Sequence, residues 1–151
     1  MNPTGPRRLV ITRKGTPLRK LIAYDSITLD GIMQAPGGAD EDTRDGFVHG
    51  GWASPYFDEV MFEASTGGKV GPSTMLFGRR TYEQFHSFWP HQTGNPYAEI
   101  LNKSPKYVVS RTLTEPLSWD NSILLSGDPV ESVPEVKARA ETDIVMLGSG
   151  V

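Results

Sequence analysis

The chain has 151 residues, with 15 Lys and Arg against 18 Asp and Glu and a formal net charge of −3, which suits one domain with a real core and not two. That balance weighs against nucleic acid as the main partner, because a polyanion is bound through a basic excess, and no apolar run is long enough to cross a bilayer. With no cysteine, disulfides and thiolate metal sites are excluded, and the expected setting is cytoplasmic.

Residues 1–17 hold three prolines, two glycines and four basic residues around a short Leu9-Val10-Ile11. Lacking an apolar core, they do not form a secretory signal and read as a flexible extension. Residues 19–24 predict a first strand centred on Leu21-Ile22-Ala23, and Leu29-Asp30-Gly31 signals a turn soon after it. Residues 34–51 are rich in Gly, Asp and Pro without any period; a loop of that length in a compact domain is functional or disordered. Ser54-Pro55 then predicts a helix start, serine capping and proline in the first turn. Phe57, Val60, Met61 and Ala64 would form its buried face, and Gly67-Gly68 its end. Asp58 falls on the border of that apolar stripe. Two readings of it stay open: a surface acid favoured by the helix dipole, or a carboxylate lining a pocket and kept protonated by burial.

Thr74-Met75-Leu76-Phe77 is an apolar strand that runs into Gly78-Arg79-Arg80-Thr81, where a helix begins. A strand feeding a helix start gathers free N–H groups and the positive end of the helix dipole at one point, a place for phosphate. Gly78 admits close approach, Arg79 and Arg80 bring charge, and Thr81 a hydroxyl. The plain alternative is a turn with a solvated basic face. The helix over residues 79–88 would bury Tyr82, Phe85 and Phe88 and stop at Pro90. His86 and His91 flank its end without acidic partners in register, so no metal site is expected. Residues 97–102 suggest a helical turn, 106–109 a strand ending in Ser110-Arg111-Thr112, and 122–126 another strand. Ser132-Val133-Pro134-Glu135 has the form of a capping box, opening a helix to about residue 141 that buries Val133, Val136 and Ala140. Residues 144–147 are a wholly apolar strand, as for one covered on both faces, and lead into Gly148-Ser149-Gly150.

This alternation predicts an α/β fold, a mostly parallel sheet with helices on both faces. Ligands of such sheets bind beyond the carboxyl ends of the strands. Three strand ends carry phosphate-compatible residues: Gly78 to Thr81, Ser110-Arg111, and Gly148-Ser149-Gly150.

The order of these landmarks resembles the dihydrofolate-reductase-like superfamily, and most of all the C-terminal reductase domain of bifunctional riboflavin-biosynthesis proteins. The resemblance is carried by Asp25-Ser26 through Leu29-Asp30-Gly31, Gly78-Arg79-Arg80-Thr81-Tyr82-Glu83, Phe88-Trp89-Pro90, Lys106 through Thr112, and Leu147-Gly148-Ser149-Gly150. It implies a mixed, mostly parallel sheet and an NADPH cofactor. Arg79, Arg111 and Ser110 would face the adenosine 2′-phosphate, Arg80 and Thr81 the pyrophosphate. Gly148, Ser149 and Gly150 would let the cofactor lie against a strand end, and the loop with Ser26, Asp30 and Gly31 would close over the nicotinamide. The reaction implied is hydride transfer to a pyrimidine- or pterin-like, or ribosylamino, substrate, with Asp58 loosely matching the position of the family's acid. The family continues beyond the last apolar strand, so the resemblance implies a domain over residues 18–151 that lacks its C-terminal helix and strands. Its unfinished sheet leads to the expectation of a homodimer. The competing reading is a non-catalytic nucleotide-binding or dimeric interaction module on the same fold.

Overall fold

The computed structural model describes residues 19–58, 60, 61, 63 and 73–148. Five strands, β1 (Leu21–Tyr24), β2 (Thr74–Gly78), β3 (Lys106–Val109), β4 (Ser122–Leu125) and β5 (Ile144–Leu147), form one sheet in the order β1-β5-β2-β3-β4. Every described pairing is parallel, in keeping with the mostly parallel sheet expected. Fully within the described residues are three α-helices between the strands, α1 (Arg79–Phe88), α2 (Pro96–Lys103) and α3 (Pro129–Arg139).

Alternation along the strands sends side chains to two cores. Met75 and Phe77 of β2 join Tyr82 of α1, Leu101 of α2, Val108, Trp119 and Leu147 on one face. Leu76 joins Ile144 and Val136 of α3 on the other, with Val133 and Ala140 packed alongside. The sheet is therefore covered by helices on both faces. Phe77 is 1 % exposed and packs its ring 5.5 Å from that of Phe85; burying such a side chain contributes about 1.5–3 kcal/mol.

Sequence signals for the bounds of α1 and the strands match what forms, since each depends on residues close in the chain, but Phe88, expected on the buried face of α1, is exposed at its end. α1 ends at Phe88, where Pro90 sits in a 3-10 turn over Trp89–His91. α2 is longer than the expected turn because Asn95 caps it, its side-chain oxygen accepting from Tyr97 N at 2.9 Å and Ala98 N at 3.3 Å. α3 starts at Pro129, ahead of the Ser132 capping box. Asp128 is the cap, accepting from Val130 N at 2.9 Å, and the Ser132 hydroxyl donates back to Asp128 O. Asp128-Pro129 carries the same cap-then-proline signal one turn earlier, and Pro134 is accommodated inside the helix.

The Ser54-Pro55 helix start is also corrected. Residues Ser54–Tyr56 form a 3-10 turn, and the Ser54 hydroxyl donates to Gly37 O at 2.6 Å instead of capping. The helical residues 60, 61 and 63 follow Asp58, whose carboxylate accepts from Met61 N at 2.8 Å. Phe57 and Val60 are exposed rather than buried. Ala64, Gly67 and Gly68 lie outside the described residues, as do residues 1–17.

The open sheet edge is not where the last strand suggested. β5 lies inside the sheet between β1 and β2, and the edges are β4 and β1, the latter with all four of its residues exposed. At the other end of the strands, Lys106 is fully buried and ties three segments together. Its Nζ donates to Asn102 O, Ser104 O and Asp120 O at 3.2, 2.9 and 3.0 Å, and sits 4.5 Å above the centre of the Trp119 ring. Three acceptors and a ring face suit an ammonium with three protons.

Candidate nucleotide and substrate site

Register places the predicted turns at one edge. Gly78 pairs with Val109, Val109 with Leu125, Leu76 with Met146, and Tyr24 with Leu147, so the five strands finish within one residue of one another. In the order β1-β5-β2-β3-β4, Gly148 after β5, Gly78 at the end of β2 and Ser110 after β3 become successive neighbours. Ser149 and Gly150 lie outside the described residues.

The glycines at this edge differ in what requires them. Gly148 has φ +73°, and a Cβ there would lie 2.6 Å from the Thr81 hydroxyl oxygen. The end of β5 is thus pressed against the first turn of α1, which explains that glycine without any ligand. Gly78 has extended backbone (φ −77°, ψ 163°), and a Cβ there would meet nothing within 4 Å. The fold itself does not call for glycine at 78; a ligand passing over the strand end would. Gly78 is also the N-cap of α1 and supplies no side-chain acceptor, whereas α2 and α3 are capped by Asn95 and Asp128. Uncapped first-turn N–H groups beside an open strand end suit the phosphates of a dinucleotide.

The cations divide. Arg79 is half-buried and its guanidinium is 2.7 Å from Glu83 Oε2, one turn along α1. Arg80 and Arg111 are exposed, and neither makes a side-chain hydrogen bond or ion pair among the described residues. Ser110 is turned inward: 7 % exposed, its hydroxyl accepts from Thr112 N and Leu113 N at 3.1 and 3.0 Å. It closes the turn that carries Arg111 instead of presenting its oxygen outward. Gly78, Arg80, Thr81 and Arg111 therefore stand together at one end of the sheet, with Arg79 shared with Glu83 and Gly148 closing the edge.

Next to this edge, at the end of β1, is a cleft of about 280 Å³. Tyr24, Ser26 and Ile27 line it from the strand end, and Trp52, Tyr56 and Met61 from across. Ser26 donates its N–H to Asp25 Oδ1 at 2.9 Å. Asp30 and Gly31 lie in the turn beyond, which is closed by the Thr28 N–H to Ile32 O (2.9 Å) and Gly31 N–H to Thr28 O (3.0 Å). Gly31 has φ +90°. The Thr28 hydroxyl donates to Asp30 and holds that carboxyl below its usual range. Asp58 is exposed, accepts from Met61 N at the start of the following helical residues, and is not among the residues lining the cleft.

Residues 34–53, irregular by sequence, are internally bonded. The Gln34 amide donates to Asp42 O and Arg44 O, Arg44 pairs with Asp42, and Glu41 accepts from Gly37 N and Gly38 N. A Cβ at Gly50 would lie 2.2 Å from Ala39 O, so the two limbs of the loop touch backbone to backbone. Trp52 and Tyr56 went unpredicted as site residues; their only sequence signal was aromatics in and just after a glycine-rich loop. Among the described residues no group of three or more His, Asp or Glu is placed to hold a metal, and no helix is long and apolar enough to cross a membrane.

No family model matches the chain, and no curated protein matches it. Among solved structures, a protein assigned to riboflavin biosynthesis from Shewanella sp. PV-4 aligns with 87 % of this chain at a TM-score of 0.51 and 21 % identity. The chain spans 65 % of that protein's length. The likeness establishes a shared α/β fold.

Proposed function

We propose that the chain is an NADPH-dependent reductase of the dihydrofolate-reductase-like type, acting on a pyrimidine- or pterin-like heterocycle or its ribosylamino derivative. One observation carries the reading: the uncapped start of α1, the open face of Gly78 and the exposed Arg80 and Arg111 lie on neighbouring strand ends, beside a cleft lined by rings. The fold shared with the Shewanella protein is consistent with it. Bound NADPH would supply the hydride; the chain supplies binding, orientation and exclusion of water. Arg111 and Arg79 would meet the 2′-phosphate, Arg80 and Thr81 the pyrophosphate. A cytoplasmic homodimer belongs to the same proposal, supported by the exposed edge strand β1.

The test is thermal. NADPH should raise Tm clearly more than NADH, and Arg111→Ala should weaken NADPH about tenfold, as for loss of one charge-assisted contact, while leaving NADH nearly unchanged. Equal shifts with both cofactors would remove the 2′-phosphate assignment. Binding without NADPH oxidation on any pterin or aminopyrimidine would favour the non-catalytic module.

A further inference from the structure

We infer that Glu83 is a built-in competitor of the cofactor for Arg79, a carboxylate that holds the guanidinium until a phosphate dianion displaces it. The inference rests on the reductase reading for the identity of the cofactor, and on the Arg79–Glu83 pair alone for the exchange. The start of α1 is electrostatically unlike the starts of α2 and α3. A helix start is the positive end of the dipole, where acids are stabilised and cations are not. α2 and α3 follow that rule: each has a side-chain cap and an acid in its first turn, Glu99 and Glu131. α1 has neither, and its first two residues are Arg79 and Arg80.

Glu83 is the one acid of α1, a turn beyond Arg79, whose guanidinium donates to Glu83 Oε2 at 2.7 Å. The pair runs against the dipole, since an acid is better placed on the N-terminal side of its base. The two side chains are 40 % and 46 % exposed, and ion pairs so open to water are weak. A stronger anion therefore opens this one easily. A phosphate monoester has close to two charges and three acceptor oxygens at neutral pH, against a single charge on the carboxylate. The 2′-phosphate of NADPH is such a group; the pyrophosphate of NADH, a diester with one charge on each phosphorus, is not. Glu83 thus leaves the pair closed to NADH and makes NADPH displace a carboxylate before Arg79 is gained. Oxidised and reduced cofactor both have the 2′-phosphate, so the same competition hastens departure of the spent cofactor.

The test is calorimetry on the full chain with NADPH, NADH and adenosine 2′,5′-bisphosphate, which offers the phosphate contacts without a nicotinamide. Glu83→Gln keeps the size of an exposed side chain and removes its charge. It should tighten NADPH and the bisphosphate about threefold, the size of one exposed ion pair, with little change for NADH. Stopped-flow should show NADPH leaving more slowly by about the same factor. Comparing Arg79→Ala with Arg79→Ala/Glu83→Gln, the gain should be absent, because the two residues act as a pair. A carboxylate that merely positions Arg79 gives the opposite sign, weaker NADPH in Glu83→Gln. That result, an unchanged NADPH affinity, a gain that survives without Arg79, or an equal gain for NADH would overturn the inference and leave the reductase reading standing. An Arg79-dependent gain for the bisphosphate in a protein blind to NADPH would uphold the exchange and sink the reductase reading; binding of none of the three would overturn both.

Discussion

Gly148→Ala probes the contact that joins the end of β5 to α1. The backbone there has φ +73°, where a residue with a Cβ is strained by about 1–2 kcal/mol. The new methyl would sit 2.6 Å from Thr81 Oγ1 and 3.1 Å from Thr81 Cγ2. Threonine in a helix has few rotamers to escape into, so the collision adds about 1–3 kcal/mol of overpacking. We expect a total near 3 kcal/mol, equivalent to roughly 6–12 °C in Tm for a domain of this size. In Thr81→Ala/Gly148→Ala both close atoms are gone and the nearest remaining Thr81 atom, Cβ, is at 3.4 Å, an ordinary contact. Only the backbone strain then persists, so the two substitutions should show a favourable coupling of about 1–3 kcal/mol. Urea unfolding followed by circular dichroism on the four proteins measures it. A Gly148→Ala loss below 1 kcal/mol, or additivity of the two changes, would show that β5 does not press on α1 and that the strand ends are not held together as described.

Other perturbations test the frame around the site. Burial pushes the Lys106 ammonium down to about 8 from its ordinary 10.5, with Asp120 opposing the shift. Between those values the unfolded chain holds more protons than the native one, so stability should rise with pH across about 8 to 10.5 relative to Lys106→Met, by the linkage sign; a flat difference in urea midpoints over that window would contradict the burial. At pH 7 Lys106→Met should itself cost about 2–4 kcal/mol, because Ser104 O and Asp120 O lose their donor in the interior. Tyr82→Phe removes the hydroxyl that accepts from the buried Trp119 N at 2.9 Å and should cost about 1–3 kcal/mol; a neutral result in thermal unfolding would mean that N–H finds another acceptor.

The local grammar of the chain was readable wherever the deciding partners are a few residues apart. β2, α1, β3, β4 and β5 follow from short apolar runs, a helical period and Pro90. Where two signals of equal kind competed, sequence could not choose. Asp128-Pro129 and the Ser132 box both announce a helix, and the earlier one prevails. Ser54 carries the marks of a cap, yet its hydroxyl goes to Gly37 O and Asp58 caps the following helical residues instead. The cleft was the least visible part, since its wall depends on a loop closed by Gln34, Asp42, Gly50 and Ala39 acting on one another.

From sequence alone one could determine that an α/β sheet would form and which of its turns were rich in glycine and arginine, because propensity and periodicity act between near neighbours in the chain. That β5 enters between β1 and β2, setting Gly148 on Thr81 and the basic turns side by side, was decided only by tertiary structure. Strand order and side-chain direction are chosen by which faces bury together across the whole chain, and no window of neighbouring residues contains that choice.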